Sequence, residues 1–378
     1  MATENNNKNL NVPNLRFPEF SGEWSLEELK DIATLSKGSG ISKDQLSDSG
    51  NPCILYGELY TKYKSEIIRE VVSKTDIDSF NLVQSKANDV IIPCSGEAAI
   101  EIATARCVTM DDILLGGDLN IIRLNDQDGG FFAYQLNGKR KVDIAKVAQG
   151  VSVVHLYGEH LKRVKVAYPS LMEQQKISSF LTLLDERIAT QIKIIEKLES
   201  LIKGLCQKLT QQGDPNTALN ECLVCYSSTL QESSVLEAGN YPVYGATGIC
   251  GYTDTPEVDG DSILIIKDGA SVGVTYYASG EYSAIGTLNR LIAKGGYSLR
   301  YLYYCLKVFN FAPYRTGLAI PHIYFRDYGK AQIWCPPIED QNRIASALEK
   351  VEQKIATEKS LLEQLYSQKR FLLQAMFI

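Results

Sequence analysis

The sequence predicts a mixed α/β (α+β) chain built as an internal duplication, two globular units alternating with two long helices. Three observations carry this. Displaced by 167 residues, positions 149–209 lie ungapped over 316–376 with 16 identities in 61 positions. Each matched segment then carries an apolar seam with helical spacing. The stretches between hold short β-branched or aromatic runs separated by Gly-rich turns, which read as strands.

The match has anchors along its whole length: Gly150/Gly317, His155/His322, Tyr157/Tyr324, Pro169/Pro336, Gln174/Gln341, Ile177/Ile344 and Leu181/Leu348. Ile188-Ala189-Thr190 recurs intact as Ile355-Ala356-Thr357. Upstream the copies diverge but keep a plan. Asp89-Val90-Ile91-Ile92 before Cys94-Ser95-Gly96 parallels Asp261 through Ile266 before Asp268-Gly269, and Asn51-Pro52-Cys53 through Gly57 parallels Asn240 through Gly245.

In the first unit of the pattern the helix seam runs Ile177, Leu181, Leu184, Ile188, Gln191, Ile195, Leu198; in the second it runs Ile344, Leu348, Val351, Ile355, Glu358, Leu362, Leu365. Steps of four and three over about five heptads are the spacing of coiled-coil pairing. Each helix opens after a proline with Glu173 or Asp340 in its first turn, where a negative charge meets the helix dipole. Gly213-Asp214-Pro215 stops the first one. Some 38 residues at ~1.5 Å each give a rod of roughly 55–60 Å. Gln191 and Glu358 interrupt both seams at the same place, and a polar seam residue fixes register at some cost in stability. The alternative is that this position faces solvent. Within the variable stretches, Ser262–Ile266 and 272–277 read as strands and 299–309 as a helix.

The 378 residues, 44% hydrophobic and 22% charged, suffice for real cores in two or three domains. The net charge of −6 counts against a nucleic-acid partner until it is divided. Residues 1–136 carry −9 and 137–166 carry +5; 211–266 carry −8 with no Lys or Arg, and 267–333 carry +5. Each variable stretch is therefore acidic early and basic late. Two matched basic faces on a long spacer suggest a chain that meets DNA at two places. The acidic portions, Asp259 and Asp261 among them, suit docking of more basic partner subunits.

Catalytic constellations are missing from the pattern. There is no GxxxxGK[ST] loop for nucleotide hydrolysis, no Asn-Pro-Pro-aromatic loop for amino methylation, and no Pro-Asp pair for a PD-(D/E)xK nuclease. Cys222-x-x-Cys225 has no second CxxC, so a structural thiol role is favoured over zinc, and no metal site is assigned. Nine Cys is an odd number, residues 1–11 lack an apolar core for a signal peptide, and no apolar run spans a membrane. These point to a cytoplasmic chain with reduced thiols.

Glu173-Gln174-Gln175-Lys176-Ile177 and Asp340-Gln341-Asn342-Arg343-Ile344, each after a proline and opening a heptad helix, resemble the specificity (S) subunits of type I restriction-modification systems. So do Asp268-Gly269-Ala270-Ser271-Val272-Gly273, Gly317-Leu318-Ala319-Ile320-Pro321-His322, and the opening 15–20 with Trp24. The resemblance implies a pseudo-twofold chain: a target-recognition domain with an N-terminal arm (1–168), a spacer helix (169–213), a second recognition domain (214–335) and a second spacer helix (336–378). It implies that the helices pack as an antiparallel coiled coil and that the domains read the two halves of an asymmetric, bipartite double-stranded DNA target. Two methyltransferase (modification) subunits and the restriction (translocase-nuclease) subunits would dock on this non-catalytic chain, and cofactors would belong to them. The first copy departs from the pattern, with Ser95-Gly96-Glu97-Ala98 at the turn and Val154 in place of Pro321. Candidate DNA contacts are Lys139, Arg140, Lys141, Gln149 and Arg163 in the first copy, and Lys267, Ser271, Arg290, Arg300, Arg315 and Arg326 in the second. The rival reading is a coiled-coil protein scaffold that does not read DNA.

Overall fold

The computed structural model describes residues 11–378, so residues 1–10, on which the signal-peptide reading rests and with which the 1–168 domain begins, lie outside the described residues. The chain divides into two compact units. One takes residues up to Ile192 with Leu361–Ile378; the other is Lys193–Ser360.

In the first unit a five-stranded sheet runs in the order Ala33–Lys37, Leu119–Leu124, Asp89–Pro93, Arg106–Val108, Ile67–Ile68. Asp89–Pro93 is buried throughout, as a central strand must be, and the helix Gly129–Asn137 packs its Phe131, Phe132 and Tyr134 beneath the sheet. A three-stranded sheet, Ser73–Thr75, Asn51–Ile54 and Leu114–Leu115, lies to one side. The second unit repeats the frame with Leu223–Ser227, Leu288–Ala293, Ser262–Ile266 and Thr275–Ala278 in order, and the helix Leu299–Lys307 in the place of Gly129–Asn137. Its additional sheet has four strands, Gly248–Thr253, Tyr241–Gly245, Glu281–Ala284 and Val258–Asp259.

Ser262–Ile266 is the strand its sequence predicts. The run 272–277 is only half a strand: Val272 donates to Gly269 O at 3.2 Å and Gly273 to Ile266 O at 2.9 Å, closing a turn before Thr275. The helix predicted over 299–309 ends at Lys307.

The two long helices are Leu171–Thr210 and Ile338–Ala375. In the first unit Ile177, Leu181, Leu184 and Ile188 share a core with Leu365, Leu372 and Met376. In the second, Ile202 and Cys206 share one with Ile344, Leu348 and Ile355. The beginning of each helix meets the end of the other, so the pairing is antiparallel. Gln191 and Glu358 are 6% and 8% exposed. The solvent-facing alternative for this position is therefore overturned, and both polar groups are buried in the seam.

Candidate nucleic-acid interface

The spacer helices hold each globular unit through one repeated device. Gln174 is fully buried; its Oε1 accepts from the Asp128 amide at 3.0 Å and its Nε2 donates to Pro169 O at 2.8 Å. Gln341 does the same with the Ser298 amide (3.0 Å) and Pro336 O (2.8 Å). Asp128 and Ser298 are the N-caps of the equivalent domain helices. Each glutamine thus ties the start of a spacer helix to the start of a domain helix, satisfying an amide that a helix N-terminus leaves open.

A second repeated feature is carboxylate under tyrosine. Tyr134 OH donates to Asp185 Oδ2 at 2.8 Å, and Tyr304 OH to Glu352 Oε2 at 2.8 Å. Asp185 and Glu352 are 167 residues apart, the repeat distance. The cation differs. Lys369 Nζ, half-buried, lies 2.6 Å from Asp185 and 2.5 Å from Glu66, both buried, whereas Glu352 takes Lys307 at 2.5 Å. Burial alone would push Lys369 down; Glu66 and Asp185 outweigh it and hold the ammonium above the usual lysine range. Burial raises the Glu66 carboxyl, with Lys369 opposing.

The exposed part of the second unit gathers four of its six candidate contact residues. Thr316 and His322 exchange backbone hydrogen bonds (2.9 and 2.7 Å) and close a hairpin. The turn after Ser262–Ile266 lies against it: Gly269 N donates to Pro321 O at 3.0 Å, Ile323 N to Lys267 O at 2.9 Å, and His322 Nδ1 sits 2.6 Å from Asp268 Oδ1. Lys267, Ser271 and Arg315 come together here, Arg315 donating to Val272 O at 3.1 Å. Arg326 is exposed beside them, over the Tyr324 ring at 4.9 Å. The other two lie elsewhere and are engaged. Arg290 is on the strand Leu288–Ala293, over the Tyr226 ring at 4.6 Å. Arg300 pairs with Glu349 of the second spacer helix at 2.9 Å and stacks on Tyr277 at 3.5 Å.

In the first unit Lys139 is exposed at the joint before the helix Lys141–Val147, Arg140 reaches Asp143 at 3.3 Å, and Lys141 is half-buried. Burial, aided by Arg106, pushes Lys141 down. Gln149 closes the matching hairpin with His155 (2.9 and 2.7 Å), and Arg163 is exposed after the short helix Gly158–Leu161. Ser95–Gly96 pairs with Val154–His155, which puts 95–98 in the place of 268–271 despite the different residues. The N-terminal entry packs on the first spacer helix. Arg16 forks Glu173 with two 2.7 Å bonds, Phe17 meets Phe180 edge-on at 5.7 Å, and Trp24 is buried against Phe131 and Phe377. Cys222 is buried, its thiol toward Leu219 O at 3.4 Å. Among the described residues no helix is long and apolar enough to cross a membrane.

Two globular units carrying similar surface hairpins on paired helices match a known arrangement. The sequence profile of the type I restriction modification DNA specificity domain matches residues 21–200 and 226–367. The chain belongs to this family. A protein of Haemophilus influenzae named as a type I restriction enzyme specificity subunit is 28% identical over 121 residues, 31% of this chain and 31% of that protein. One of Methanocaldococcus jannaschii, named as the type I restriction enzyme MjaX specificity subunit, is 25% identical over 215 residues, 54% of this chain and 50% of that protein. The chain spans half or less of the length of these curated relatives in the matched regions. In fold it is similar to the S subunit of a type I restriction-modification system from M. genitalium, with TM-score 0.66 and 19% identity over 97% of this chain and 99% of that one.

Four features of this family member escaped sequence reasoning: the two glutamine ties, the Arg16 fork, Lys369, and the apolar hairpin tips. Gln174/Gln341 carried a signal, since an identical polar residue kept at the head of both helices has a hydrogen-bonding reason to stay.

Proposed function

We propose that the chain is the DNA-recognition subunit of a type I restriction-modification assembly, reading a bipartite, asymmetric target with one half per unit. The carrying observation is that both units hang on the spacer helices through the same ties while the surfaces they display differ in sequence. One frame with two reading heads suits a split target. The boundaries 1–168, 169–213, 214–335 and 336–378 are the division this reading uses. Lys267, Ser271, Arg315 and Arg326 would reach bases or phosphates in the second unit, and Lys139, Gln149 and Arg163 in the first. Arg140, Lys141, Arg290 and Arg300 have internal partners or cover and would act closer to the phosphates. Two modification subunits would supply methylation and restriction subunits translocation and cleavage, with the chain contributing no catalytic group of its own, in the cytoplasm. Methylome sequencing of cells carrying the gene with its methyltransferase tests this. A split motif methylated on both strands is expected; no motif dependent on this chain contradicts the proposal and favours the scaffold reading.

A further inference from the structure

The two hairpins are alike in more than backbone. Gly150 and Gly317 have φ of 122° and 88°, and a Cβ there would stand 2.1 Å from Val153 O and 2.3 Å from Ile320 O, so the turn needs glycine in both. Past each glycine an aliphatic side chain stands in water: Val151 is 96% exposed and Leu318 fully so. Val153 and Ile320, two residues on, are 54% and 57% exposed. Behind each tip an exposed tyrosine stacks on the hairpin histidine, His155–Tyr157 at 6.0 Å and His322–Tyr324 at 6.5 Å.

Exposing aliphatic tips costs solvation that folding does not recover, so their repetition points to a partner. Neither 149–155 nor 316–322 holds an acidic residue, and Lys146 and Arg315 precede the hairpins while Arg163 and Arg326 follow. Asp268 meets His322 in the second hairpin, and Glu159 and Asp327 lie in the flanks, but each flank stays net positive, which suits a polyanion. Two aliphatic side chains are too small a patch to anchor a protein interface of about 800 Å² per partner, but they are the size of a wedge that enters between base steps. The tips lie inside the matched segment, whereas Lys139, Lys267, Ser271 and Arg315 lie upstream of it, so the tips serve something common to both half-sites.

We propose, resting on the DNA-recognition reading above, that the hairpins are paired, sequence-independent wedges on double-stranded DNA. Val151 and Leu318 press apolar tips against the base stack and deform it, with His–Tyr pairs and flanking cations holding the backbone. Deformation of this kind lowers the cost of unstacking a base that a methyltransferase must extract.

The test uses the chain assembled with its modification subunit. Val151→Ser and Val153→Ser are combined with Leu318→Ser and Ile320→Ser; the two tip residues carry no packing, and a melting curve checks that the fold is unchanged. Affinity for a random-sequence duplex of about four helical turns, its bend by end-to-end energy transfer, and the methylated motif are measured. The expected result is affinity lower by roughly tenfold, a straighter duplex and an unchanged motif. Unchanged affinity and bend overturn the proposal. So does an altered motif, which would make the tips base readers, and so does loss of co-purification with the modification subunit, which would make them a protein contact. If the unsubstituted assembly binds no duplex at all, the DNA-recognition reading itself fails.

Discussion

The two units share a frame but not the means of neutralising it. In both, a tyrosine of the domain helix caps a carboxylate of a spacer helix, Tyr134 on Asp185 and Tyr304 on Glu352. In the first unit the cation is Lys369, half-buried, from the opposite spacer helix, and it answers a second buried carboxylate, Glu66. In the second unit the repeat equivalent of Lys369 is Ile202, and the cation is the more exposed Lys307 of the domain helix itself. A cavity of about 510 Å³ lies there, lined by Ile202, Cys206, Lys307 and Glu352. Duplication preserved the attachment, and divergence moved the charge. The first unit therefore depends on the far end of the second spacer helix for its ion balance, while the second unit is neutralised locally.

Removing the two lysines should break this symmetry most visibly. Lys369→Met leaves the buried Glu66 and Asp185 without the ammonium they share and should cost about 3–5 kcal/mol in denaturant unfolding. Lys307→Met leaves Glu352 partly in water and should cost about 1 kcal/mol or less. Equal losses would contradict the comparison. The glutamine ties should behave in the opposite way. Gln174→Ala and Gln341→Ala each strand a buried helix-cap amide, and each should lose about 1–3 kcal/mol by thermal melting, with similar values. A large inequality would mean that one tie is incidental.

The acidic residues at the helix starts should differ again. Arg16→Ala leaves the buried Glu173 unforked and should lower stability by about 1–3 kcal/mol. Its counterpart Asp340 pairs with the exposed Arg343, at 2.8 Å, so Arg343→Ala should change stability by about 0.5 kcal/mol or less. The smallest effect is on alkaline pH. Lys369 is held above the usual lysine range, so its contribution is complete below about pH 10.4 and is lost as pH rises through its higher folded value. A Tm series from pH 9 to about 12 should show that loss in the native chain and not in Lys369→Met.

The spacer helices were legible because heptad spacing is a local signal written twice. Ile177, Leu181, Ile344 and Leu348 are buried where the seam puts them. Sheet order was not legible, since the pairing of Asp89–Pro93 with Leu119–Leu124 rests on contacts far apart in sequence. Basic residues were chosen by charge, and charge does not tell a free arginine from one held by Glu349 and Tyr277, as Arg300 is. Val151 and Leu318 were not singled out either, since nothing local in the sequence separates an aliphatic side chain in a core from one that a hairpin holds in water.

Shared frame and separate reading make one joint demand on the target. Seven residues, one heptad, should be removed from each of Leu171–Thr210 and Ile338–Ala375 at facing positions, and the methylated motif of the shortened chain compared with that of the native one. The same two half-sites should appear with an altered gap, or methylation should be lost. Unchanged half-sites with an unchanged gap would contradict the spacer, and new half-site sequences would contradict its separation from reading.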